Sequence, residues 1–83
     1  MPVMPTVLRT DGYRFFFYSL EGHEPPHIHV EQAERVAKFW SSPVELATSD
    51  GFRATELNRL RAMVILHRAT FERAWHEHFR NAP

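Results

Sequence analysis

Residues 54–80 contain neither glycine nor proline, whereas all three glycines and five of the six prolines precede them. The chain therefore splits into a punctuated half and an unbroken one, and only the second can sustain long helix. Within it Leu57, Leu60, Val64, Phe71, Trp75 and His78 recur at spacings of three, four or seven, the apolar stripe of an amphipathic helix. A straight helix over this stretch would be about 40 Å long, more than so small a domain can cover. The segment reads as one long helix whose far end, with Trp75 and Phe79, reaches a partner, or as two helices with a bend that return to their own core.

The first half reads as strands. Residues 7–9 and 13–18 flank Asp11-Gly12, the turn signal of a hairpin. Along residues 13–18, Tyr13, Phe15 and Phe17 fall on one face and Arg14, Phe16 and Tyr18 on the other, a central strand covered on both sides. Residues 21–26 form a loop, since Pro25 and Pro26 lack amide donors. Residues 27–31 and 35–40 alternate as a second hairpin, and residues 44–47 form a short edge strand or an extended crossing. The expected fold is α+β: an antiparallel sheet of about four strands, followed by a long C-terminal helix or two helices packed on one face. The whole chain, 1–83, reads as a single domain, strand-rich over 5–47 and helical over 54–80.

Ten Lys and Arg against ten Asp and Glu leave no net charge, so no bulk field attracts nucleic acid or an acidic membrane. Residues 1–42 carry four basic and five acidic side chains and the rest six and five, so neutrality hides no dipole between halves. Cysteine is absent, which removes disulfides, thiolate metal sites and a Cys nucleophile. The longest aliphatic run, 62–66, is far short of a membrane span, and no basic segment followed by an apolar one opens the chain. A cytoplasmic protein without membrane partners is expected. Phosphate-binding glycine loops, Gly-x-Ser-x-Gly and His-Glu-x-x-His are also absent.

The sharpest local feature is Glu-Pro-Pro-His-Ile-His-Val at 24–30, which puts two imidazoles on one face of a strand behind a rigid loop. With a two-residue turn after it, Ile28, Val30, Ala37 and Phe39 share one face, and His27, His29, Lys38 and Trp40 the other. An odd-length turn would bury the only lysine on the core face at a cost of several kcal/mol, so burial favours the even register. His27, His29, Lys38 and Arg14 then form a cationic surface suited to an anionic ligand. In RNA cleavage one imidazole would take the 2′-hydroxyl proton and the other protonate the leaving oxygen, while Lys38 and Arg14 stabilise the phosphorane. This reading needs no cofactor and no metal. A His-x-His metal site, completed by Glu24 or a helix histidine, is the weaker alternative because Lys38 would repel the ion. His67, His76 and His78 read as core-boundary or helix-end residues.

The runs at 4–9, 11–19, 24–30, 37–40 and 43–47, with Gly51-Phe52, Glu56-Leu57 and residues 75–79, resemble a bacterial family, the domain of unknown function DUF4160, of the DhiT-type toxins. The resemblance covers nearly the whole chain in order. It implies the toxin component of a type II toxin–antitoxin system, with an antitoxin protein from a neighbouring gene as partner. Met4 matches the usual start of the family, and the resemblance implies that residues 1–3 are an upstream start or an extension. Arg53 stands where relatives tend to carry a capping Ser three residues before Glu56, which implies a lost capping box at the helix start. The resemblance hands over no catalytic mechanism, so the RNA or ribosome target rests on His27, His29, Lys38 and Arg14, and a homo-oligomer is compatible with it. The rival reading is a non-enzymatic binding or regulatory module working through a partner protein. An antitoxin-like DNA binder fits poorly with zero net charge and no helix-turn-helix pattern.

Overall fold

A computed structural model describes residues 5–80; the proposed extension at residues 1–3 and the start at Met4 lie outside the described residues. Five strands form one antiparallel meander in the order β1 (Thr6–Thr10), β2 (Tyr13–Phe16), β3 (His27–Gln32), β4 (Arg35–Ser41) and β5 (Val44–Asp50). Two helices follow, α1 (Ala54–Leu66) and α2 (Arg68–Phe79). Asp11 and Gly12 both adopt positive φ, +53° and +82°, the two-residue turn whose twist matches its flanking strands. The fifth strand exceeds the expected four: residues 44–50 pair with β4 on both sides of a bulge between Lys38 and Phe39. Its alternation is faint in the sequence because β5 is an edge strand with most side chains exposed.

The β3–β4 pairing sets the faces. Ile28 lies opposite Phe39 and His29 opposite Lys38, and the turn is the pair Ala33-Glu34, so the even register holds. Ile28, Val30, Ala37 and Phe39 enter the core with Phe15, Phe17, Leu60, Val64, Phe71 and Trp75. Phe15 stacks on Phe71 at 5.2 Å, and Phe17 meets Trp75 edge-on at 5.2 Å.

The long helical segment breaks at His67, whose φ and ψ of −103° and 12° leave the helical region. The bend lets α1 lie on β4 and β5 and α2 on β3 and β4, so that both halves of the apolar stripe reach the same face of the sheet. Trp75 is buried in the protein's own core. The absent Ser does not displace the helix start: α1 begins at Ala54, and the Glu56 half of the capping box persists, its Oε1 accepting the Arg53 amide at 3.3 Å. The same carboxylate holds the Arg35 guanidinium at 2.7 Å, tying the helix start to β4. Among the described residues no helix is long and apolar enough to cross a membrane.

Candidate functional site

The outer face of the sheet carries His29, Lys38, Trp40, Arg14 and Phe16, and the segment between β2 and β3 brings Glu21 and Glu24 to it. Turn hydrogen bonds shape this segment, Glu21 N–H to Tyr18 O at 3.2 Å and Glu24 N–H to Glu21 O at 3.0 Å. Ser41 N–H donates to Pro26 O at 3.2 Å and fastens its end to β4. Gly22 lies against Phe79 at the end of α2, where a Cβ would stand 2.5 Å from the ring. A glycine is required there for close packing rather than for its φ.

This loop aims Glu21 at the histidine pair. Glu21 Oε1 lies 2.9 Å from His29 Nε2 and 2.9 Å from His27 Nε2, and also accepts the Tyr18 amide at 2.9 Å. His27 is enclosed, with 0% of its side chain exposed, between Trp75 at 4.7 Å, Trp40 at 5.6 Å and His29 at 5.1 Å between ring centres. Its Nδ1 is 2.9 Å from Pro25 O. A carbonyl only accepts, so Nδ1 carries the proton. His27 Nε2 is near Glu21, yet the angle to the carboxylate is too poor for a hydrogen bond, which leaves it a buried nitrogen without a hydrogen-bond partner.

His29 is the more accessible imidazole, stacked on Phe16 and edge-on to Tyr18. Burial lowers its pKa and outweighs the opposing pull of Glu21, so it is largely neutral at pH 7. Burial would raise the pKa of Glu21, but the Tyr18 amide and the two imidazoles together bring it below the usual value. The carboxylate is therefore ionised.

The structure brings His27 and His29 together and sets Lys38 opposite His29, while Arg14 stands one ring away, its guanidinium 4.2 Å over Phe16. The cationic surface expected from the strand pattern is instead charge-matched. Lys38 Nζ binds Glu24 Oε1 at 2.6 Å and Arg14 binds Glu31 at 2.8 Å, while Glu21 meets the histidines. Glu24, the carboxylate considered as a third metal ligand, serves Lys38, and Glu21 is the carboxylate beside the histidines. Glu21 lies in an irregular loop, where no periodicity in the sequence marks its direction.

The geometry defines a small α+β protein with two helices on one sheet face and a histidine–carboxylate cluster at the start of β3, its His27 against Trp75 of α2 and its His29 on the outer face. Residues 12–76 match a family model described as Domain of unknown function (DUF4160), and the chain belongs to that family. No curated protein and no solved structure matches it.

Proposed function

We propose that this chain is the toxin component of a bacterial type II toxin–antitoxin pair, with an antitoxin protein as partner, and that it acts on RNA or translation through the outer face of the sheet. The observation that supports this reading best is the convergence of Glu21, His27 and His29 beside Lys38 on a partly open surface. Lys38 and Arg14 would meet phosphates. Their partners Glu24 and Glu31 are partly exposed, so a polyanion can exchange with the carboxylates. Trp40 and Tyr18, both half-buried beside the cluster, offer ring surface to a base. His27 is sealed from solvent and would act through Glu21 and His29.

Inducible expression in a bacterial host, with labelled RNA incubated beside the purified protein, tests this. Growth arrest by the wild type, lost in His29→Ala and Lys38→Ala variants that keep their circular dichroism, is the expected result. Arrest undiminished in both variants, or no arrest by the wild type, would overturn it.

A further inference from the structure

We propose that Glu21, His27 and His29 hold a divalent transition-metal ion, with Zn²⁺ the best match to two imidazoles and a carboxylate. The proposal deepens the reading of this face, though it does not require RNA to be the target.

Three observations carry it. One ligand atom from each residue can be chosen so that all lie within 4.8 Å of one another. A tetrahedral ion with bonds of about 2.0–2.1 Å separates its ligands by about 3.3–3.4 Å, so the 2.9 Å nitrogen–oxygen spacings need to open by only a few tenths of an ångström. Second, His27 Nε2 is buried without a hydrogen-bond partner and lies 2.9 Å from an anionic oxygen, Glu21 Oε1. With Nδ1 donating to Pro25 O, the in-plane lone pair of Nε2 points to one side of Glu21 Oε1, and a cation off the line between the two atoms would meet both. The bond from Nδ1 to a backbone carbonyl is also the outer-shell contact that orients metal-bound histidines. Third, the objection that Lys38 would repel an ion is answered by Glu24, which binds its ammonium at 2.6 Å.

His29 would join the set by carrying its proton on Nδ1, which frees Nε2. His29 and Glu21 remain 17% and 16% exposed, so the ion keeps a side open to water. With a water in that open position, the ion would supply the Lewis-acid and water-activating chemistry of hydrolytic zinc sites.

The test uses the full chain, stripped with a chelator, dialysed, and titrated with Zn²⁺ against a chromophoric competitor. One ion per chain is expected, with a Kd on the order of 1 µM or tighter. Glu21→Gln and His29→Gln should weaken binding by at least the roughly 10–100-fold that loss of an outer-shell partner costs. His76→Ala, on the exposed side of α2, should bind as the wild type does. Imidazole ¹⁵N spectra should show Zn²⁺ shifting His27 Nε2 and His29 Nε2. No one-to-one binding, variants that bind like the wild type, or shifts at other histidines instead would overturn the proposal. Zinc binding by a chain that arrests no growth would remove the toxin reading and leave the metal site standing. Arrest by a chain that binds no zinc would do the reverse.

Discussion

The two faces of β3 are made by different forces, although their residues alternate along one short strand. Ile28 and Val30 point inward and are fully buried against aromatic and aliphatic side chains from β2, β4 and both helices. His27 and His29 project on the other side, where a loop supplies Glu21 and Glu24 to partner the polar groups. Burial of apolar area is non-directional, so many inner-face packings would serve. A buried imidazole or ammonium needs a partner at a defined distance and angle, so the outer face depends on where a single loop runs.

Breaking the inner face should have the largest effect. Phe15→Ala removes a fully buried ring stacked on Phe71 and should cost about 3–5 kcal/mol, much of the stability of a small domain. Urea unfolding followed by circular dichroism would read this; a loss below about 1 kcal/mol would contradict the packing described. Next comes the loop that builds the outer face. Gly22→Ala drives a methyl into Phe79 and should cost about 1–3 kcal/mol by overpacking. It should also disturb the His29 imidazole resonances, whereas Phe15→Ala acts on stability first.

The hairpin turn that sets the pleat allows a smaller, opposite effect. Ala33 sits at φ +54°, where an L-residue is strained and glycine is not. Ala33→Gly should therefore stabilise by up to about 1 kcal/mol, seen as a raised urea midpoint with unchanged slope.

The smallest effect is expected at Glu24. Its pKa is depressed chiefly by the hydrogen bond from Lys38, so the pair's contribution is present above the unfolded carboxyl value and is lost as pH falls through the folded one. With 29% of its side chain exposed, Glu24→Gln should cost only about 0.2–1 kcal/mol at pH 7. The difference from wild type should vanish once the pH lies below the folded value; a difference unchanged across that range would show that the ion pair is not its source.

Much of this architecture is legible in residue order. The Asp11-Gly12 turn, the alternation along β2 to β4 and the apolar stripe from Leu57 to Trp75 each repeat with the period of their element, so face and partner follow from local geometry. The site is legible only in part. His27, His29 and Lys38 share a face by pleat parity, but charge pairing across the loop does not follow from any period. Glu21 and Glu24 lie three residues apart on irregular backbone, and nothing in their order says which meets the histidines and which the lysine. The break at His67 is equally hidden, because neither glycine nor proline marks it.

The amino-acid sequence alone determined the α+β class, the parity that separates apolar from polar strand residues, and the core residues Phe15, Phe17, Ile28, Val30 and Phe39. Those follow from periods of two and 3.6 acting over short range. Tertiary structure alone decided where the helix bends, which carboxylate each cation meets, and that His27 is sealed with one nitrogen unsatisfied. These depend on contacts between segments distant in the chain, Gly22 with Phe79 and His27 with Trp75, whose geometry exists only once the sheet and both helices have packed.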